Sequence, residues 1–408
     1  MTNNNDKKVL NVPLLRFPEF TEEWKEHCLA EYLDFKNGLN PSANKFGSGI
    51  KFISVMDILN NNFITYDCIR TSVKITPEEQ VAFAVEKGDM LFQRSSETLE
   101  DVGRANVYMD ENPAVFGGFV IRGKKKTEYN PMFFRYLLAS PYARKKIIPM
   151  GAGAQHFNIG QDGLSKVKLH FPILQEQQKI AALLRLIDER ITTQNKIIEK
   201  YESLIQAIIY KTKTNGITKG SWQKMELSKV LHERNEKNID GRTICSVSVS
   251  QGVVNQVEYL GRSFAAQQTN HYNVVKYGDI VYTKSPTGDF PYGIIKRSDI
   301  EEDVAVSPLY GVYTPSNDNI GVILHFYFMK PSNAFNYLHP LIQKGAKNTI
   351  NITNLRFLEN FVPLPISENE AYTIATTLKT IQKKIDIEKR LLQAYMIEKE
   401  YLLRQMFI

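Results

Sequence analysis

Ile180, Leu184, Ile187, Ile191, Gln194, Ile198, Tyr201, Ile205 and Ile208 follow one another at alternating spacings of four and three, within a stretch, residues 175–211, that holds no proline or glycine. All but Gln194 are apolar, and the spacing is the heptad of a coiled coil rather than the broader stripe of a surface helix. The pattern returns 194 residues later as Ile374, Leu378, Ile381, Ile385, Glu388, Leu392, Tyr395, Lys399 and Leu402. The polar position and the tyrosine fall at matching places. Gln194 and Glu388 are therefore expected to set the register of the seam. Lys399, standing where the first copy has Ile205, predicts a seam that frays late, at a rim or against another subunit.

The repeat reaches beyond the helices. The only tryptophans, Trp24 and Trp222, open the two halves. Gly88-Asp89-Met90-Leu91-Phe92-Gln93-Arg94-Ser95 is matched by Gly278-Asp279-Ile280-Val281-Tyr282-Thr283-Lys284-Ser285, and Gly151-Ala152 leading to Asn158-Ile159 by Gly345-Ala346 leading to Asn351-Ile352. Short β-branched and aromatic runs between turn residues, with a helical stretch at Met132–Lys146, indicate a mixed α+β domain. The expected organisation is a loose tail over 1–12, a domain over 13–171, a helix over 172–211, a polar linker over 212–221, a second domain over 222–365 and a second helix over 366–408. Ten linker residues span at most about 35 Å, while the first helix is roughly 55 Å long. The second domain then belongs at the far end of the first helix. The second helix buries its seam only by running back, which gives antiparallel helices and a pseudo-two-fold axis.

Charge and composition set limits on chemistry. Lys and Arg exceed Asp and Glu by 7, with a pI near 9.0, a mild excess compatible with a polyanionic partner. Three scattered cysteines, no apolar leader and no run of about 20 apolar residues indicate a cytoplasmic protein without disulfides or a membrane span. No phosphate-binding P-loop, HExxH or histidine cluster is present, so no metal is expected. Gly151-Ala152-Gly153-Ala154-Gln155-His156 lacks the third glycine of a dinucleotide loop. Ser140-Pro141-Tyr142 is not an amino-methyltransferase motif, and Glu23-Trp24-Lys25 lacks the Pro-Asp of a nuclease. No catalytic site is expected, and binding remains.

After each Gly-Asp turn a short apolar strand leads into polar residues: Gln93, Arg94, Ser95 and Ser96 in one copy, Thr283, Lys284 and Ser285 in the other. Gln and Arg suit base edges; Lys and Ser suit phosphate. The Gly-Asp pairs themselves are ordinary turns. A second pair of loops offers Gln155, His156 and Asn158, and Lys347, Asn348, Thr349 and Asn351, with solvated turns as the plainer alternative. Lys45, Lys51, Arg104, Arg262, Gln267 and Gln268 are further candidates. A two-headed protein-binding scaffold with a coiled-coil ruler is the alternative to a DNA reader.

Taken together, these segments resemble the DNA-specificity subunit of Type I restriction-modification systems. The junction Phe171-Pro172-Ile173-Leu174-Gln175-Glu176-Gln177-Gln178-Lys179-Ile180-Ala181 is similar to the family's passage from a target recognition domain into a helix that begins Glu-Gln-x-x-Ile-Ala. The second junction keeps Pro363-Leu364-Pro365 but not the Glu-Gln pair. The resemblance implies two tandem target recognition domains and a non-catalytic role. Each domain would read one half of a bipartite DNA target, with the coiled coil setting the unread gap and docking two modification subunits. It also implies two restriction subunits, and it assigns S-adenosylmethionine, ATP and Mg²⁺ to the partners, none to this chain.

Overall fold

The computed structural model describes residues 10–262, 268–344 and 350–408. The chain divides into two compact units. One holds the residues up to Gln194 together with Leu391–Ile408; the other is Asn195–Arg390. Each unit thus contains one α+β domain, the near part of its own long helix and a stretch of the other.

In the first unit the central sheet is antiparallel, in the order Leu33–Asn37, Val120–Lys125, Met90–Gln93, Ala105–Val107. Strand Met90–Gln93 is buried throughout because both of its faces are covered. Met90 and Phe92 join a cluster with Phe133, Phe134 and Leu137, while Leu91 joins a second with Ile58, Tyr108 and Phe116. The expected helix over 132–146 is two helices, Pro131–Ala139 and Pro141–Ile147. Ser140 closes the first and caps the second, accepting from the Ala143 N–H, and Pro141 sits at the first helical position, where its missing N–H costs nothing.

The second unit repeats the plan, in the order Leu231–Glu233, Gly311–Pro315, Ile280–Tyr282, Ile295–Arg297. Val281 and Val312 pack into a valine-rich cluster on one face. Tyr282 and Tyr313 each stack on Phe357 at 4.7 Å on the other. The first strand of each domain also pairs with its last: Lys25–Cys28 with Lys168–Phe171, and Trp222–Glu226 with Phe361–Pro365. Each domain therefore closes where its helix begins.

The Gly-Asp turns are structural. Gly88 and Gly278 adopt φ of +94° and +88°, a region that favours glycine. Asp89 is buried and accepts from the N–H groups of Glu86 and Lys125. Asp279 is buried and accepts from Lys276 N–H, Thr314 and a bidentate Arg234 at 2.6 and 3.0 Å.

The long helices are Leu174–Lys219 and Glu368–Gln405. The linker expected over 212–221 is largely helix, ending only at Gly220 with φ +73°. Thr212, Thr214 and Thr218 direct their hydroxyls to carbonyls one turn back, so their polarity is absorbed within the helix. Gly216 is required by packing rather than flexibility, because a β-carbon there would lie 2.0 Å from the Trp222 indole.

Within the first unit the helices run antiparallel. Asp188 meets Lys399 at 2.5 Å, Arg190 lies over the Tyr395 ring, and Leu402 and Met406 pack in the cluster that holds Ile180 and Leu184. In the second unit Glu202 meets Lys389, and Trp222, past the end of the first helix, meets Glu370 at the start of the second, again antiparallel. Gln194 is buried in the seam and Glu388 half-buried. Lys399 does not fray the seam as expected. It pairs with buried Asp188, which also accepts from the Tyr136 hydroxyl at 2.7 Å.

Each tryptophan donates its indole N–H to a glutamate in the first turn of the helix that follows its domain. Trp24 reaches Glu176 at 3.3 Å and Trp222 reaches Glu370 at 2.8 Å. The second junction lacks the Glu-Gln pair but keeps its glutamate, at the same offset as the seam. In the first unit Arg16 grips Glu176 with two 2.8 Å bonds. Gln177 ties the Asn130 N–H to the Pro172 carbonyl; Ala371 occupies the matching place in the second copy.

Candidate nucleic-acid interface

Pairing of Ser95–Ser96 with Phe157–Asn158 brings two distant loops of the first domain together. Ser95 donates its hydroxyl to the Asn158 side-chain carbonyl, and the Ile159 N–H donates to the Arg94 carbonyl. The Arg94 backbone is thus held on both sides, since its own N–H donates to the Phe119 carbonyl at 2.8 Å. The Arg94 guanidinium is half-exposed and donates to the Gly118 carbonyl at 3.3 Å, one of the five N–H groups it carries. Gln155, His156 and Asn158 are exposed on the adjoining turn. Arg104 is exposed alongside, its carbonyl accepting from the Gln93 N–H and its guanidinium paired with Asp101 at 2.6 Å.

Gln93 departs from expectation. It is 5% exposed and its amide turns back to the Ser95 carbonyl, so it is not presented to a ligand. The physical reason is the sheet, which continues through Gln93 and is covered on both faces. Lys51 belongs to a separate sheet, formed by Phe46–Ile53 with Ser72–Val73 and Val115–Phe116, and Lys45 ends the short turn Ala43–Lys45 that leads into it. Lys51 donates to the Ile69 carbonyl, while Lys45 is half-exposed beside Phe46.

In the second domain Thr283 is buried. Its hydroxyl accepts from the Ile294 N–H, extending the pairing of Ile280–Tyr282 with Ile295–Arg297. It serves the sheet rather than a ligand. Lys284 has φ +59°, the one described non-glycine residue with positive φ. It is half-buried, and burial pushes the pKa of its ammonium down. Beyond it Ser285 is exposed, and Thr287 pairs with Phe290 to close a tight turn. Arg262 is exposed just past the helix Gln256–Leu260, away from this turn in sequence. Asn351 pairs with Gln343 and is exposed, as is Gln268. Lys347, Asn348, Thr349 and Gln267 lie outside the described residues.

The part of the interface that sequence reasoning missed is the turn Gly117-Gly118-Phe119, which carries Arg94 through both its backbone and its side chain. Its paired glycines were the available signal. Among the described residues no group of three or more acidic, histidine or cysteine side chains is placed to hold a metal ion, and no helix is long and apolar enough to cross a membrane.

Residues 21–203 match the family model of the Type I restriction modification DNA specificity domain. The chain is 24% identical over 395 residues to a putative type I restriction enzyme MjaX specificity subunit of Methanocaldococcus jannaschii, covering 91% of this chain and 90% of the relative. It is 27% identical over 194 residues to the HindI specificity subunit of Haemophilus influenzae, covering 46% of this chain and 40% of that one. Its fold is similar to the crystal structure of a Type I restriction-modification S subunit from M. genitalium, with a TM-score of 0.62 at 14% identity, over 97% of this chain and 99% of the other. Residues 21–203 thus match the DNA specificity domain of Type I systems, and the chain over most of its length is similar to their specificity subunits.

Proposed function

We propose that each domain reads one half of a bipartite duplex target and that the paired helices set the unread gap. The observation that carries this is the polar edge of the first domain. There two loops far apart in sequence are hydrogen-bonded into one surface, with Arg94, Ser96, Asn158, Gln155, His156 and Arg104 on it. Arginine offers bidentate contacts to guanine, amides suit adenine, and hydroxyls suit phosphate. Lys284 and Ser285, with Arg262, Lys347, Asn348 and Thr349, are the counterparts proposed for the second domain.

The helices also present apolar side chains to solvent. In the first unit these include Leu186, Met396, Ile397 and Tyr401; in the second, Leu204, Tyr210, Ile217, Tyr372 and Ile387. Such patches suit protein docking, and two modification subunits are the proposed occupants, with two restriction subunits completing the complex. S-adenosylmethionine would be bound by the modification subunits, and ATP and Mg²⁺ by the restriction subunits. A cytoplasmic location follows from this role.

Mapping N6-methyladenine by long-read sequencing, in cells with and without the chain, tests the proposal. Two short half-sites at a fixed gap are expected to appear only with the chain. A single contiguous site, or no change in methylation, overturns it. Binding to duplex should also fall steeply with salt as phosphate contacts release counterions.

A further inference from the structure

Beside Arg94 the first domain carries an apolar hollow of about 390 Å³. Phe46, Met56 and Phe119 stand around it with 39%, 61% and 68% of their surface exposed. Large apolar side chains gathered at a concave surface, without a covering element, are costly in water and mark a contact site. The wall is firm. The Gly117 N–H donates to Ile53, the Val120 N–H donates to Gly117 and the Arg94 N–H donates to Phe119, at 2.8 to 3.0 Å. Two glycines let neighbours pack closely on this turn: a β-carbon at Gly117 would meet the Phe52 ring at 2.6 Å, and one at Gly118 would meet the Asn40 amide at 1.9 Å. Phe119 is thus presented from a turn that backbone hydrogen bonds hold at several points.

Charge indicates what approaches. Among the described residues no carboxylate lines the hollow. Arg94 rests on its Gly118 wall, and Lys45 precedes Phe46 on another wall. An apolar patch beside the Arg94 guanidinium suits a surface that is itself apolar and flanked by phosphates. In the major groove the one apolar group on a base edge is the C5-methyl of thymine, and phenylalanine is among the side chains that contact it.

We infer that Phe119, supported by Met56 and Phe46, contacts a thymine methyl in the half-site met by Arg94. Phe119 is then a specificity-determining residue, and the half-site contains a T·A pair next to the base read by Arg94. This rests on the first domain reading DNA as proposed above.

The test uses the full chain, in complex with the modification subunits, on duplexes carrying the mapped target. Each thymine of the half-site altered by R94A is replaced in turn by deoxyuridine, which removes only the methyl. One position is expected to weaken binding about fourfold, as for one methyl group lost from an apolar contact. The same replacement should have no effect on F119A, which is weaker from the outset. Deoxyuridine tolerated at every position, a half-site without thymine, or an undiminished deoxyuridine effect in F119A overturns the inference. The scan on the unmodified chain decides the matter without any variant. R94A separates the two claims. A changed methylated sequence with a flat deoxyuridine scan overturns the methyl contact alone, whereas an unchanged sequence overturns the reading by Arg94 itself.

Discussion

In the first domain the chain leaves strand Met90–Gln93 still extended, so Ser95–Ser96 pairs with Phe157–Asn158. In the second it leaves Ile280–Tyr282 through Lys284 at φ +59° and folds into the turn that joins Thr287 to Phe290. The strands upstream share one order and one direction. Similar text, Gln-Arg-Ser against Thr-Lys-Ser, therefore leads to unlike edges on like scaffolds. The sheet tolerates this because its last buried residue bonds to backbone, the Gln93 amide donating to the Ser95 carbonyl and the Thr283 hydroxyl accepting from the Ile294 N–H, and whatever follows is free to differ.

The shared scaffold is where the largest effects are expected. Glu176→Ala leaves Arg16 and Trp24 without their acceptor in a buried place and should destabilise the first unit by about 3 kcal/mol. Glu370→Ala, at a half-buried position where Ser221 and Trp222 rather than an arginine are its described partners, should cost the second unit only about 1 kcal/mol. Hydrogen exchange, which resolves the two units, checks both; equal costs would break the comparison. Next, Thr283→Val strands the buried Ile294 N–H and should cost about 1–3 kcal/mol while leaving the methylated sequence unchanged. A change in that sequence would return Thr283 to the interface.

Arg94→Ala should leave stability nearly intact and relax one position of one half-site, by about 1–3 kcal/mol of discrimination. Uniform weakening on all sequences would instead make Arg94 a phosphate contact. The smallest effect is on Lys284. Lys284→Gly relieves a left-handed backbone that costs a lysine roughly 1 kcal/mol, so thermal unfolding should shift slightly upward while DNA affinity falls.

The repeat, the two helices and their antiparallel sense were legible because periodicity and offset are carried by many residues at once. Boundaries were less so. Residues 212–219 read as linker because threonine and glycine are poor helix formers in isolation, yet packing on Trp222 and threonine back-bonding keep them helical. Candidate positions were legible as types but not as directions. Gln93 and Arg94 are neighbours in text, yet one faces the interior and the other the surface, a distinction that depends on a sheet covered on both faces. The Phe119 turn escaped notice because its importance lies in what it touches.

A chain made of two similar halves carries a hazard: either long helix could adopt, as its partner, a copy of itself from another molecule. The contact between Asp188 and Lys399 makes the two helices distinguishable. Were the first helix to pair with its own copy, the place of Lys399 would fall to Ile205, and a buried carboxylate would face a hydrocarbon. Were the second to do so, the place of Asp188 would fall to Gln382, leaving Lys399 without a counter-charge. One acid and one base, each present in only one copy, thus act as an address label, directing each helix to its unlike sibling in the same polypeptide.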